Sequence, residues 1–389
     1  MTDAGPSPRP SALSRRAVLG LGAVGAAALA GCRTPPGSPP GGPGGRGPDG
    51  SPPTVGDGSS GRQPLEDAVD IATGLQTPWS VVVLPDRGVL VSERDPGTVR
   101  RLDLRGGASV IGTVEGVAAG GEGGLLGLAV DRRTYGSNPV LYAYLTAASD
   151  NRVVAIAMDG GRLGAQRTLL TGIPKGSIHN GGRLAFGPDG FLYVTAGETG
   201  NRGLAQDRQS LAGKILRLTT EGAAAPGNPF PGSPVWSYGH RNPQGIAWDA
   251  SGRMWASEFG QDTWDELNVI RPGSNYGWPT VEGQQGREGF VDPVRQWKTA
   301  DASPSGITIG PDGAVLMAAL RGESLWKIPV GADGSTEEPQ RLLQGDYGRL
   351  RDVLVGPDGN VWVVTNNTSR GTPRPGDDRI VRLPRSLTG

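Results

Sequence analysis

The 389-residue sequence contains two histidines, both in stretches rich in glycine, asparagine and arginine. His179 lies in Ser177-Ile178-His179-Asn180-Gly181-Gly182-Arg183-Leu184, and His240 in Tyr238-Gly239-His240-Arg241-Asn242-Pro243-Gln244-Gly245. An imidazole is the natural general base near neutral pH, and a partner on its second ring nitrogen fixes its tautomer. Glu198, in Ala196-Gly197-Glu198-Thr199-Gly200, closes the strand that follows the His179 hairpin, so it can return to the same rim. The competing reading is a loop histidine that bonds only backbone. Cys32 is the single cysteine, which excludes an intrachain disulfide and a cysteine-based metal cluster.

The elements that must carry these residues follow one recurring pattern: an apolar residue or two, a Pro-Asp-Gly-like turn, then an alternating strand. Val83-Leu84-Pro85-Asp86, Ala129-Val130-Asp131, Phe186-Gly187-Pro188-Asp189, Trp248-Asp249, Gly310-Pro311-Asp312 and Gly356-Pro357-Asp358 are its six occurrences. Such turns between period-2 runs mark hairpins, because they need residues that tolerate positive φ. The aspartates are separated by 45, 58, 60, 63 and 46 residues. These are the lengths of four-stranded propeller blades, with insertions in the middle ones. An all-β, six-bladed propeller is the expectation; a pair of β-sandwiches sharing turn chemistry is the alternative. Nine Trp against five Phe, and no long amphipathic helical pattern beyond residue 65, agree with it. In a propeller, loops from every blade converge on the channel mouth, so residues distant in sequence can meet there.

Before the repeats the composition changes twice. Residues 1–32 carry the pair Arg15-Arg16, an apolar run from Ala17 to Ala30 and the ending Leu29-Ala30-Gly31-Cys32. That order reads as a twin-arginine signal peptide closing on a lipobox, with Cys32 as the lipidated residue; a plain cleaved signal is the alternative. Residues 33–64 are mostly Pro, Gly and Ser, too polar to offset ordering entropy, and are expected to form a disordered tether. The expected arrangement is a catalytic propeller over 65–389, exported and held to the bacterial cell membrane by an N-terminal lipid anchor. Lys plus Arg and Asp plus Glu balance at 38 each, so no global field favours nucleic acid.

His179 through Glu198, Gly239-His240-Arg241-Asn242-Pro243-Gln244-Gly245, and Asp265 through Pro279 together resemble the quinoprotein glucose/sorbosone dehydrogenases. Gly121-Glu122-Gly123-Gly124, Leu211-Ala212-Gly213-Lys214 and Arg349-Leu350-Arg351-Asp352 extend the resemblance from about Gly74 to near Leu383. It implies a six-bladed propeller that oxidises a sugar with pyrroloquinoline quinone and calcium, hydride passing to quinone carbon C5.

The resemblance also implies roles. His179 falls on the base that takes the substrate hydroxyl proton, Glu198 on an Asp that orients that base, and Arg241 beside the quinone carbonyl, where positive charge stabilises a developing oxyanion. Asn242, Arg349 and Arg351 fall on residues that hold the tricarboxylate, Arg321 on a cofactor-binding Lys, and Glu122 where the glucose-oxidising branch has Gln. Backbone carbonyls of Gly260 and Gln261 fall on the calcium site, with Gln261 replacing a Pro. Asp265, Glu266 and Tyr276 fall on a second calcium site, against which Asp265-Glu266 also reads as a solvated acidic pair. Ile178 stands where glucose-specific members have Asp, and the region around Trp297 is closer to the aldose sugar dehydrogenase branch. Trp297 is a candidate platform for a flat cofactor or, equally, blade packing. The implied partners are a small sugar and an unidentified electron acceptor. The alternatives are a cofactor-free propeller lipoprotein that binds carbohydrate or protein, and a calcium-dependent hydrolase; fold alone does not separate them.

Overall fold

The structure, a computed structural model, describes residues 67–103 and 107–388. The segments expected to be a leader (1–32, with Cys32) and a tether (33–64) lie outside the described residues. Among the described residues, twenty-four strands form six antiparallel four-stranded sheets. After β1 (Val69–Ala72), the first blade is β2 (Pro78–Val83), β3 (Val89–Glu93), β4 (Thr98–Leu102) and β5 (Ala108–Thr113). The second is β6 (Leu125–Val130), β7 (Val140–Thr146), β8 (Asn151–Asp159) and β9 (Arg162–Ile173); the third is β10 (Leu184–Phe186), β11 (Leu192–Ala196), β12 (Lys214–Leu218) and β13 (Val235–Tyr238). The fourth is β14 (Pro243–Trp248), β15 (Met254–Glu258), β16 (Trp264–Ile270) and β17 (Arg295–Lys298), and the fifth is β18 (Pro304–Ile309), β19 (Val315–Ala319), β20 (Ser324–Ile328) and β21 (Gln340–Leu342). The sixth takes β22 (Leu350–Val355), β23 (Val361–Thr365) and β24 (Ile380–Arg382) and is completed by β1, which pairs antiparallel with β24. The N-terminal strand thereby closes the ring on the last blade, as a six-bladed propeller requires.

The first strand of each blade lies innermost and neighbours the first strands of the blades beside it. Strand alternation then gives each blade two apolar faces, and the core is divided into six seams between blades. In β3, Leu90 packs into the seam with blade two, whereas Val89 and Val91 pack into the seam with blade six. Trp255 and Ile307 fill the seam between blades four and five.

The six aspartates all fall in the turn between the first and second strands of their blades. Each accepts a backbone N–H within that turn: Gly88 to Asp86 at 2.8 Å, Arg133 to Asp131 at 3.0 Å, Phe191 to Asp189 at 3.2 Å, Ser251 to Asp249 at 2.9 Å, Ala314 to Asp312 at 3.1 Å and Asn360 to Asp358 at 3.1 Å. In four blades a cation on the third strand also meets the turn: Arg101 to Asp86, Arg217 to Asp189, Lys327 to Asp312 and Arg382 to Asp358. These turns mark one end of the ring. The loops that begin each first strand, and those that follow each second strand, meet at the other end.

Candidate active site

That second end holds a cleft of about 430 Å³ lined by Trp79, Glu122, His179, Arg241, Asn242, Gly260, Gln261, Asp265, Arg321, Arg349 and Arg351, among others. His179 and Asn242 come from the segments before β10 and β14, Arg349 and Arg351 from the start of β22, and Gly260 and Gln261 from the loop after β15. Residues far apart in the chain are therefore gathered because each lies at the same end of its own blade, before or at its first strand or after its second.

His179 adopts φ 55°, a left-handed conformation that is costly for most side-chain-bearing residues. Its surroundings hold it there. The His179 N–H donates to Glu122 Oε2 at 2.9 Å, and the adjacent Asn180 is pinned by Gly176 N–H and Asn151 Nδ2, each 3.0 Å from its Oδ1. Gly197 is obligatory beneath it, since a Cβ there would sit 2.0 Å from the His179 carbonyl oxygen. The imidazole Nδ1 is hydrogen-bonded to Glu198 Oε1, and Glu198 is 1 % exposed, behind the histidine and away from the cleft. A carboxylate on Nδ1 favours the tautomer with the proton on that nitrogen and leaves the Nε2 lone pair available. The dyad can accept a proton.

The cleft is also lined by cations. Arg241 donates from Nη2 and Nε to Gln261 Oε1 at 2.8 and 3.2 Å, and from Nη1 to the Phe259 carbonyl at 3.1 Å. Burial pulls its guanidinium below the ordinary arginine range, opposed by Glu198, Glu258, Glu282 and Asp265. Arg351 bonds Gln244 Oε1 at 2.8 Å and Asn366 Oδ1 at 3.2 Å, all neutral partners. Its pKa is pushed down to about 9, first by burial and then by the nearby cations Arg94 and Arg349. The Nε atoms of both Arg349 and Arg351 are buried without a hydrogen-bond partner. Crowded, partly unpaired guanidinium groups are stabilised by an anion with several oxygens. The donor set fits a tricarboxylate.

Asp265 also faces the cleft, where it accepts the N–H groups of Gly260 at 2.9 Å and Ser303 at 2.6 Å; burial pushes its pKa up to about 6. Gly260 tolerates no side chain, because a Cβ would lie 1.9 Å from the Trp264 carbonyl oxygen. Two sequence-based expectations need correction. Trp297 does not line the cleft: it is in β17, the outermost strand of its blade, buried against Trp255 and 5.7 Å from the Trp326 ring. Its alternative, blade packing, is what the fold imposes. Asp265, Glu266 and Tyr276 do not converge on one point either. Successive residues of β16 face opposite ways: Glu266 accepts Gly283 N–H at 2.7 Å, while the Tyr276 hydroxyl donates to the Val269 carbonyl at 2.8 Å. Among the described residues no group of three His, Cys, Asp or Glu side chains is placed to hold a metal ion.

The sequence reading missed Trp79, Arg94, Phe259 and Arg370. Trp79, at the start of β2, is 2 % exposed and lies 4.4 Å beneath the Arg183 guanidinium, itself paired with Asp352 at 2.9 Å. Arg94 and Arg370 follow the second strands of blades one and six, as Glu198 does in blade three. That shared blade position was the available signal. Arg370 pairs with Glu122 at 3.3 Å and joins two non-adjacent stretches of chain at the rim.

The ring and its mouth define a six-bladed propeller with a cationic cleft and a buried histidine–glutamate dyad. The profile of the glucose/sorbosone dehydrogenase family matches residues 75–372, and the chain belongs to that family. The PQQ-bound form of aldose sugar dehydrogenase from Streptomyces coelicolor superimposes with a TM-score of 0.78 and 53 % identity, over 82 % of this chain and 99 % of that one. The aldose sugar dehydrogenase YliI of Escherichia coli is 32 % identical over 331 residues, which are 76 % of this chain and 88 % of the relative. Quinoprotein glucose dehydrogenase B of Acinetobacter calcoaceticus is 31 % identical over 260 residues, 57 % of this chain and 54 % of the relative.

Proposed function

We propose that the chain is an aldose sugar dehydrogenase that binds pyrroloquinoline quinone with calcium in the cleft and oxidises its substrate at the anomeric hydroxyl. The observation that carries this reading is the gathering, at one mouth, of the His179–Glu198 dyad, Arg241, and the buried guanidinium groups of Arg349 and Arg351 with unpartnered Nε atoms. When bound, the quinone supplies a two-electron acceptor for the hydride that leaves the anomeric carbon. The Nε2 of His179 takes the hydroxyl proton, and the Glu198 carboxylate stabilises the imidazolium that results. Arg241 places positive charge where negative charge develops on the acceptor side of the reaction. Arg349, Arg351, Arg321 and Asn242 hold the carboxylates, Trp79 packs beneath the guanidinium of Arg183, and Glu122 fixes the backbone of the base. Main-chain oxygens of Gly260 and Gln261 are the candidate calcium ligands, a suitable type for a hard cation.

The purified protein, titrated with pyrroloquinoline quinone and Ca2+, should reduce an artificial dye when an aldose is added. Absence of dye reduction across a broad aldose panel would falsify the reading. Residues 1–32 act in this proposal as a twin-arginine leader ending at the lipidated Cys32, with 33–64 as the tether to the membrane. Cys32→Ser should release the protein from the membrane fraction.

A further inference from the structure

We propose that Glu258 is the positioning residue of the site, acting through the backbone N–H groups of Arg241 and Asn242; this rests on the dehydrogenase reading. Glu258 ends β15 and is 4 % exposed. Its Oε1 accepts the N–H groups of both Arg241 and Asn242, the latter at 3.1 Å, and its Oε2 accepts His240 Nδ1 at 2.8 Å. The register explains why a side chain is needed. Residue 243, opposite Glu258 in the ladder, is a proline and brings no N–H, and the ladder shifts between Pro243 and Gly245. The carboxylate accepts the two N–H groups that precede this interruption, at the point where the chain turns into the cleft.

His240 secures the carboxylate in turn. Its Nε2 meets Ser237 Oγ at 2.8 Å, and its ring stacks on Tyr276 at 4.8 Å with 18° between planes. Serine, histidine and carboxylate in this order have the composition of a nucleophile triad. Ser237 and His240 are both 0 % exposed, so no substrate reaches them and the trio is scaffold. The adjacent blade repeats the device: His179 precedes β10 and pairs with Glu198 after β11, as His240 precedes β14 and pairs with Glu258 at the end of β15. In blade three the imidazole opens to the cleft; in blade four it is sealed behind it.

What Glu258 holds is connected to the base. The Arg241 carbonyl accepts Glu198 N–H at 2.8 Å, and Asn242 Oδ1 accepts Gly181 N–H at 3.0 Å. Loss of the carboxylate frees residues 241 and 242, and through them the loop that carries His179. Misplacement of a reacting group by about 1 Å costs on the order of a hundredfold in rate.

The test pairs amide hydrogen exchange on the cofactor-free protein with steady-state kinetics of the loaded one, for wild type and Glu258→Ala. In wild type, the amides of Arg241 and Asn242 should exchange as slowly as those of β14. In the variant, exchange over 239–242 and over 179–181 should accelerate, with kcat about a hundredfold lower and the sugar KM within about threefold. Fast exchange at 241 and 242 in wild type overturns the proposal even if the variant does not fold. So does a folded variant with unchanged exchange or with kcat close to wild type. A wild-type protein that shows no turnover overturns the dehydrogenase reading instead, and the exchange measurement still decides the role of Glu258.

Discussion

The backbone N–H of Glu198 donates to the carbonyl of Arg241 at 2.8 Å, so the residue behind the base and the residue that brings the guanidinium to the cleft share one hydrogen-bonded frame. Asn242 adds a second tie through Gly181. The base and the cation belong to different blades, yet neither blade can shift at this mouth without moving the other.

The arginines should be read out by cofactor affinity. Arg349 presents a guanidinium that burial pulls below its ordinary range, with an unpartnered Nε and the neighbouring Arg370 adding repulsion. Hydrogen bonds to charged groups contribute about 1.5–3 kcal/mol, so Arg349→Ala should weaken pyrroloquinoline quinone binding by roughly tenfold to a hundredfold. Spectral titration checks it, and an unchanged dissociation constant removes Arg349 from cofactor binding.

Lys214 predicts a pH effect on stability. The ammonium is fully buried and donates to the carbonyls of Leu204 at 2.7 Å, Ala205 at 3.0 Å and Ala212 at 2.6 Å. Burial pushes its pKa down to about 7. The unfolded chain, with an ordinary lysine, therefore binds more protons than the folded one between about pH 7 and 10.5. Stability from this residue rises with pH through that window, by up to about 1.4 kcal/mol per unit, and is lost as pH falls through 7. Lys214→Met should be destabilised by about 2–3 kcal/mol, since the Leu204 and Ala212 carbonyls lose their donor and the Ala205 carbonyl keeps only the Gly239 N–H. The gap between wild type and Lys214→Met should widen from pH 7 to pH 9.5 in denaturant titrations; a constant gap contradicts the assignment.

The far end of the ring should affect stability alone. Asp358 accepts Asn360 N–H and Trp362 Nε1, each at 3.1 Å, and its neighbours hold its carboxyl below the usual range against the opposing effect of burial. Asp358→Ala should cost about 1–3 kcal/mol of unfolding free energy while leaving cofactor affinity as in wild type. Loss of affinity in this variant would mean that the two ends of the propeller are coupled.

The parts of this architecture that were legible in the chain are those whose forces are local. Each turn aspartate bonds a backbone N–H only a few residues away, so six turns announce six blades. His179 and Glu198 are one hairpin apart, and their pairing follows from strand return. The cations that meet four of those aspartates from the third strands have no such local mark. Trp297 looks like a platform in one dimension; only its place in an outermost strand shows that it packs between blades. Asp265 and Glu266 are adjacent in sequence, yet strand alternation sends them to different surroundings. Gln261 is marked in the sequence only for its main-chain oxygen, whereas its side-chain amide oxygen accepts two bonds from Arg241, twenty residues away.

The most direct test is the comparison of wild type with His179→Ala in dye-linked aldose oxidation after loading with pyrroloquinoline quinone and Ca2+. General base catalysis contributes about 10²- to 10⁴-fold. The alanine variant should lose turnover by that order while its spectral titration with the cofactor stays close to wild type. Turnover in the variant equal to that of wild type would contradict the account.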